Sequence, residues 1–420
     1  MTNHDLSSAP RPVRSLLLLA LTFAAVASGC GVEETVMAPF RGETPHERYL
    51  ERLERSGLAE TALVRDWTGA ASEALTAPVQ ASPPMDESGW FPPDSPAALG
   101  YRLEMERGQR LRVELDLEGD EDARVFIEVF RLRGDADAQN PSLLTVAWGD
   151  SLSREVSYDA ATAATYLVRV QPELLRGGPY RVSLHVGPSL TFPVEGAHLR
   201  DIGSYFGASR EGGARQHHGV DIFAPRGTPV LAAGEGRVRR VQETPIGGKV
   251  VWVRNEEGGH SEYYAHLDTQ YVTAGQRVSP GDTLGRVGNT GNAITTPPHL
   301  HFGIYSGGPV DPLPFLAHVG GEASPLRVGA ELFHTRVRVV SEEAAIRAGP
   351  SEQSESLESG IAGLPLHILG GSGEWARVRL PDGRQGFIRP GDVEPAEDMV
   401  AWHRAAHAAA MESTPTVEGP

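Results

Sequence analysis

Cysteine, lysine and long hydrophobic runs are scarce in this sequence. Cys30 is the only cysteine among 420 residues, which excludes an intrachain disulfide. Lys249 is the only lysine, and its flanking residues are not those of a biotinyl or lipoyl attachment site, which argues against a carrier domain. With 40% hydrophobic and 22% charged residues, the composition excludes both a multi-span membrane protein and a wholly disordered chain.

Positive charge is also in short supply. The formal net charge is −17 at pH 7, so the chain as a whole repels phosphates, and we expect no nucleic acid partner. The 48 glycines and 32 prolines, together with β-branched runs, indicate short strands joined by turns. The length is that of two or three domains.

The N-terminus has the pattern of a targeting segment. Two arginines precede an apolar run at 16–27, which is too short for a comfortable transmembrane span. The run ends in Ala-Ser-Gly-Cys at Cys30, which resembles the bacterial lipoprotein box. This resemblance implies a signal peptide at 1–29 and a lipid on Cys30, and Gly31 then favours the outer membrane. The alternative is an ordinary secretory signal with an incidental cysteine.

Residues 30–97 are predicted to hold a tether, a helical segment and a linker. Leucines recur at helical spacing over 45–78, and Thr44 followed by proline is typical of a helix N-cap. The stretch 77–97 is rich in proline, serine and aspartate, which is typical of a linker.

Two further segments are predicted to be accessory β domains. Residues 98–190 alternate apolar and polar side chains in about seven short runs, which predicts a β-sandwich. It resembles pre-peptidase C-terminal sandwiches. Residues 334–395 resemble a bacterial SH3-like barrel, and 396–420 are predicted to be a tail helix with a loose end.

Between these segments, histidines cluster beside an aspartate. Six of the 15 histidines fall between 217 and 301. His217 and Asp221 share a face if their segment is extended, as do His299 and His301, and His266 lies in a Tyr-Tyr-Ala-His-Leu segment. Imidazole and carboxylate are common zinc donors. Three protein ligands and one open position are typical of a catalytic zinc.

The flanking sequences complete a recognisable series. They are His-Gly-Val-Asp-Ile-Phe-Ala-Pro-Arg-Gly-Thr-Pro-Val from His218, Ala-Ala-Gly-Glu-Gly from Ala232, Tyr-Ala-His-Leu from Tyr264, Gly-Asn-Thr-Gly from Gly288 and Pro-His-Leu-His-Phe from Pro298. This series resembles the lysostaphin/LytM family of zinc metalloendopeptidases, which cut peptide cross-links in peptidoglycan. The resemblance spans residues 195–318 and implies a two-sheet lysostaphin-like metallopeptidase domain. The whole chain is therefore predicted to be mainly β, with a short N-terminal helical segment.

The resemblance also implies roles for individual residues. One Zn²⁺ would be held by His217, Asp221 and His301, while His266 and His299 would be catalytic. Of these two, one would act as general base and the other would stabilise the oxyanion, and the sequence does not say which does which. The residues expected to contact substrate are Tyr205, Arg210, Tyr264 and Asn292, although an alternating strand would simply bury Tyr264.

The sequence therefore predicts a zinc-dependent endopeptidase of peptidoglycan, anchored to the membrane through Cys30 and facing the periplasm from the outer membrane. The cross-link that it cuts stays open between a D-Ala–diaminopimelate bond, a glycine bridge and a stem-peptide bond. Two alternatives also stay open. One is a non-catalytic envelope scaffold that activates a cell-wall amidase, and the other is a zinc endopeptidase of Gly-rich proteins.

Overall fold

The computed structural model describes residues 42–119, 121–134, 142–318, 320–359 and 361–396. The predicted signal peptide, Cys30 and nearly all of the predicted tail helix lie outside these ranges. Within them, no helix is long and apolar enough to cross a membrane. The predicted fold class is confirmed, since the described chain consists mainly of strands in several sheets.

The N-terminal helical segment is two helices, α1 (Pro45–Arg55) and α2 (Ala62–Thr76). Thr44 caps α1 as predicted, because its hydroxyl accepts from the backbone N–H of Glu47, whose carboxylate accepts from the Thr44 N–H in return. The prediction of one helical stretch over 45–78 was wrong, because residues 56–61 between α1 and α2 are not helical. Gly57 follows α1 with φ of +72°, a conformation that ends a helix and that glycine adopts without strain.

Both helices pack on the sandwich that follows them. The Trp67 ring is buried, stacks on His46 with ring centroids 4.5 Å apart and donates from its indole nitrogen to the Pro172 carbonyl at 2.9 Å. His46 Nε2 lies 2.8 Å from Gln171 Oε1. The helical segment is therefore part of the accessory unit.

The sandwich consists of two facing sheets. Their strands are β1 (Val79–Gln80), β2 (Met85–Phe91), β3 (Leu99–Met105), β4 (Gln109–Leu117), β5 (Val125–Arg133), β6 (Ser142–Trp148), β7 (Glu155–Asp159), β8 (Ala164–Pro172) and β9 (Gly178–Pro188). One sheet has the order β1-β3-β8-β5-β6, and the other contains β2-β9-β4-β7. Alternate residues of both sheets fill one apolar core, as period-two patterning requires.

The prediction of a linker at 77–97 was wrong, because β2 lies in this stretch and pairs with β9 along its whole length. The buried positions of β2 include Glu87 and Gly89, which are not apolar side chains, so the sequence of β2 does not show the alternation typical of a strand. Glu87 is fully buried because Arg377, which is equally buried, pairs with it at 2.8 Å.

The segment that carries the histidines folds around one long sheet and a smaller layer. Its strands are β10 (Ile202–Ser204), β11 (Ser209–Arg210), β12 (Arg215–Gln216), β13 (Val220–Phe223), β14 (Pro229–Leu231), β15 (Gly236–Thr244), β16 (Gly248–Asn255), β17 (His260–Gln270), β18 (Arg277–Val278), β19 (Thr283–Val287), β20 (His299–Tyr305) and β21 (Pro309–Val310), followed by helix α3 (Leu313–Leu316). The long sheet has the order β10-β13-β20-β17-β16-β15-β18. A separate apolar core lies under it.

The C-terminal unit continues the sandwich. Its strands are β22 (Arg336–Val339), β23 (Ala345–Arg347), β24 (Ser356–Ser359), β25 (Pro365–Ser372), β26 (Trp375–Arg379), β27 (Gln385–Ile388) and β28 (Val393–Pro395). Strand β25 pairs with β2 of the sandwich, so one sheet runs through both units. The ion pair of Glu87 with Arg377 lies at this junction.

Candidate metal centre

Three side chains converge at the middle of the long sheet. Asp221 on β13 lies directly opposite His301 on β20, and His217 enters from the loop before β13. His217 Nε2 lies 2.9 Å from His301 Nδ1, and each of these nitrogens lies 3.0 Å from Asp221 Oδ1. The structure therefore brings the three predicted ligands into one compact triangle.

Surrounding groups fix which atom each ligand presents. The Nδ1–H of His217 donates to the carbonyl of Tyr205 at 2.9 Å, which turns Nε2 toward the triangle. The second oxygen of Asp221 accepts from Arg210 at 2.5 Å, and the same guanidinium nitrogen donates to Ser204 at 2.8 Å. These contacts orient the ligands before any ion arrives.

Close packing also holds His301. A Cβ added to Gly219 would lie 2.9 Å from His301 Nε2 and 2.4 Å from a backbone carbonyl oxygen. Only glycine leaves room for the imidazole at this position, which gives a physical reason for the glycine in the His-Gly-Val-Asp motif.

The electrostatics of the triangle fit a divalent cation. Burial would raise the pKa of Asp221, but the adjacent imidazoles of His217 and His301 lower it overall, so this carboxylate is ionised. Burial lowers the pKa of His301, which favours its neutral form. Two imidazoles and a carboxylate are a zinc donor set, and tetrahedral zinc with bonds near 2.0–2.1 Å places its ligand atoms roughly 3.3 Å apart. The observed separations are close to that value.

The two predicted catalytic histidines lie beside the triangle. His266 has φ of +61°, and the His266 and His299 ring centroids are 5.0 Å apart. His299 Nε2 lies 3.9 Å from Asp221 Oδ1, and the His266 and His301 centroids are 6.0 Å apart. Left-handed backbone at a non-glycine residue is uncommon and concentrates at functional sites.

Backbone carbonyls select the same tautomer for both of these histidines. His266 donates from Nδ1 to Thr290, and His299 donates from Nδ1 to Pro297, each at 2.9 Å. Each Nε2 is therefore left as an acceptor. Burial lowers the pKa of His266 to about 4, so this ring is neutral at neutral pH.

Of the four predicted substrate contacts, two are exposed. Tyr205, whose carbonyl accepts from His217, is 51% exposed, and Asn292 is exposed on the loop that leads to β20. Arg210 instead contacts Asp221, so it positions a ligand. The prediction for Tyr264 was wrong. Its ring is fully buried and its hydroxyl donates to Glu262 and accepts from the Ala233 N–H.

The sequence reasoning missed an aromatic residue on the correct face of β17. Side chains alternate along a strand, so Tyr263 shares the face of Ala265, which lies opposite His301. The Tyr263 ring centroid lies 5.8 Å from that of His301 and 4.4 Å from that of Trp252. The alternation of β17, counted outward from His301, would have identified Tyr263.

The candidate metal triangle in a mainly β fold fits a metallohydrolase. Residues 215–312 match the family model described as Peptidase family M23. The chain therefore contains a domain of peptidase family M23. Members of this family are zinc-dependent, and zinc is the cofactor that this site takes.

Named relatives match the same domain. The chain is 36% identical over 108 residues to the peptidoglycan DD-endopeptidase ShyC of Vibrio cholerae, a match that covers 25% of this chain and 24% of the relative. It is 39% identical over 106 residues to the uncharacterized lipoprotein YgeR of Escherichia coli K12, covering 25% and 41% respectively. The solved catalytic domain of the antimicrobial peptidase lysostaphin from Staphylococcus simulans is 34% identical, covers 27% of this chain and 89% of that chain, and has a TM-score of 0.25.

These matches cover less than half of each curated relative, namely 24% and 41% of the two just named. The similarity is therefore a property of one domain, and the sandwich and the C-terminal unit lie outside the family match.

Proposed function

We propose that this protein is a zinc-dependent endopeptidase that hydrolyses peptide cross-links of peptidoglycan. The observation that carries the proposal is the triangle of His217, Asp221 and His301, with the acceptor nitrogens of His266 and His299 beside it. The name of one relative, a peptidoglycan DD-endopeptidase, supports the substrate class.

The three residues of the triangle would hold the ion. His217 would bind through Nε2, His301 through Nδ1 and Asp221 through Oδ1, since these are the atoms that converge. Zinc bound there supplies Lewis acidity, which polarises the scissile carbonyl and lowers the pKa of water toward about 7. Arg210 keeps the second Asp221 oxygen engaged, so a single carboxylate oxygen faces the site.

His266 and His299 would move the protons. Both are held with Nδ1–H on a backbone carbonyl, so each Nε2 accepts a proton without a change of tautomer. His266 is neutral at neutral pH because burial lowers its pKa to about 4. One histidine would take the proton of the attacking water and pass it to the leaving amine, and the other would face the oxyanion.

The complete set of five residues favours catalysis over the alternative of a non-catalytic scaffold. A scaffold has no need of five side chains in compatible tautomers around one point.

The alternative of a Gly-rich protein substrate is less favoured than peptidoglycan because of the expected location of the protein. We propose that Cys30 is lipidated and holds the protein on the cell envelope, where peptidoglycan is the nearby polymer, and a relative that is named a lipoprotein agrees with this placement.

The proposal is tested on the chain from Gly31 onward with purified peptidoglycan. Released fragments are identified by mass spectrometry with zinc present and after zinc removal. Zinc-dependent loss of cross-linked fragments is expected, and the cleaved bond follows from the fragment masses. Tyr264→Phe, which changes a fully buried side chain outside the metal triangle, is the control variant and should cleave like the parent chain. Cross-linked fragments that persist in the presence of the zinc-loaded chain would overturn the proposal.

A further inference from the structure

The face of the sheet that carries the metal triangle extends beyond it toward strand β15. Tyr263 on β17 pairs with Trp252 on β16, and Trp252 pairs with Arg240 on β15. Directly paired residues project from the same face of a sheet. A row of side chains therefore leads from the strand of His301 to β15, the last strand but one of the long sheet.

Aromatic rings form the near part of this row. The Trp252 ring centroid lies 4.4 Å from that of Tyr263 and 5.1 Å from that of Tyr305. The Tyr263 ring also meets His301 edge-on, with centroids 5.8 Å apart. The platform of Trp252, Tyr263 and Tyr305 is partly exposed and continuous with the metal triangle.

Arginines form the far part of the row. A concavity of about 780 Å³ beside Trp252 is lined by Arg237, Arg239, Arg240 and Arg254. Arg237 pairs with Glu256 at 4.0 Å and donates to a backbone carbonyl. Among the described residues, no carboxylate lies within ion-pair distance of Arg239, Arg240 or Arg254. Uncompensated arginines grouped in a chain of net charge −17 indicate an anionic ligand.

We propose that this arginine-aromatic face, defined as Trp252, Tyr263, Tyr305, Arg240 and Arg254, is a subsite for a free carboxylate of the peptidoglycan peptide. The inference rests on the proposed function, because it takes the peptide bound for cleavage as its ligand. Arg240 and Arg254 would pair with the carboxylate, and the aromatic rings would pack against the intervening peptide.

The dimensions suit a short peptide. Strands β20 and β15 are separated by three strand spacings of about 4.8 Å, which places Arg240 roughly 14 Å from the strand of His301. Extended peptide advances about 3.4 Å per residue, so roughly four residues span this distance. Guanidinium groups bind carboxylates through two parallel hydrogen bonds, which gives selectivity for a free acid over its amide.

Binding is measured on the full chain without turnover, in a His299→Ala background. The probes are two soluble cross-linked muropeptides that are identical except that one stem carboxylate is free in one and amidated in the other. We expect the free acid to bind about tenfold more tightly, with a preference that declines as salt rises. The double variant Arg240→Gln/Arg254→Gln should lose this preference.

Two controls separate charge from folding. Arg200→Gln removes one exposed arginine of the same domain outside the arginine-aromatic face, and it should keep the tenfold preference. Arg240→Lys/Arg254→Lys keeps both charges and loses the bidentate geometry, so we expect an intermediate preference of about threefold. Equal binding of the two probes by the parent chain, or an undiminished preference in the double glutamine variant, would overturn the inference.

Turnover of the same two probes by the chain with His299 intact distinguishes the two proposals. Cleavage with equal kcat/KM for the acid and the amide would overturn the subsite and leave the proposed function standing. Selective binding without cleavage of either probe would support the subsite and contradict the proposed function.

Discussion

The guanidinium of Arg210 donates to the oxygen of Asp221 that faces away from the two histidines of the triangle, at 2.5 Å. Arg210, which the sequence predicts to contact substrate, thus lies behind a candidate metal ligand. Because Asp221 accepts from Arg210 on one oxygen and faces His217 and His301 with the other, its carboxylate plane is fixed.

Substituting Arg210 should therefore weaken zinc binding. Arg210→Gln is expected to reduce zinc affinity by about 10- to 100-fold, the range found for partners that orient metal ligands. Affinity is measured by competition with a chromogenic chelator. Arg226→Gln removes an exposed arginine that pairs with Asp268, and it should bind zinc like the parent chain. Unchanged affinity in Arg210→Gln, together with a raised KM, would restore the role in substrate contact.

Adjacent tyrosines on β17 should respond in opposite ways to the same change. Tyr264→Phe removes a hydroxyl that is hydrogen-bonded to Glu262 and to the Ala233 N–H, and it leaves buried polar atoms without a partner. We expect the free energy of unfolding to fall by about 2 kcal/mol while kcat/KM changes less than twofold. Urea titration and peptidoglycan turnover provide the two readouts.

Tyr263→Ala, in contrast, removes a ring from the face of the sheet that carries the metal triangle. KM for soluble cross-linked peptide is expected to rise several-fold with little change in kcat, because in the proposed subsite the ring would pack against substrate without touching the reacting bond. The reverse pattern, with turnover lost in Tyr264→Phe and KM unaltered in Tyr263→Ala, would show that substrate binds on the face of the sheet that carries Tyr264.

The site was more predictable from the sequence than the fold around it. His299 and His301 are two residues apart on one strand, and period-two geometry predicts their shared face. The partner of Glu87 could not be predicted in the same way. Arg377 lies 290 residues away in the sequence. A glutamate in a Pro-rich stretch is typical of an exposed linker, and only the fold shows that Arg377 allows Glu87 to be buried.

The ion pair of Glu87 and Arg377 should hold the C-terminal unit to the sandwich. Arg377→Leu leaves a buried carboxylate without its countercharge, and we expect a loss of about 3–5 kcal/mol in the free energy of unfolding. The double change Glu87→Met/Arg377→Leu should recover most of this loss. Arg338→Leu breaks an exposed pair with Glu394 in the same unit and should cost less than about 1 kcal/mol. Equal effects of Arg377→Leu and Arg338→Leu would show that the junction is held by other contacts.

Burial of His266 should make the stability of the metal-free chain depend on pH. Its pKa is lowered to about 4 when folded, against about 6.5 when unfolded, so the unfolded chain binds the proton more tightly. Stability is therefore lost as pH falls from about 6.5 toward 4, by up to about 3 kcal/mol. Unfolding is followed in urea at pH 7 and pH 5.

His266→Gln removes this titration and should flatten part of the pH dependence. His185→Gln, which changes an exposed histidine of the sandwich, should leave the dependence as it is in the parent chain. A pH dependence in His266→Gln that matches the parent would show that His266 does not remain neutral in the folded state.

A stoichiometric titration tests most directly whether the triangle of His217, Asp221 and His301 holds one catalytic zinc ion. Metal-free chain is titrated with zinc while the release of cross-linked peptidoglycan fragments is followed, alongside His299→Ala and His301→Ala. We expect hydrolysis to rise to a plateau at one zinc per chain, His299→Ala to bind zinc without hydrolysis, and His301→Ala to lose both. Hydrolysis that is independent of zinc, or that survives in His301→Ala, would contradict the account.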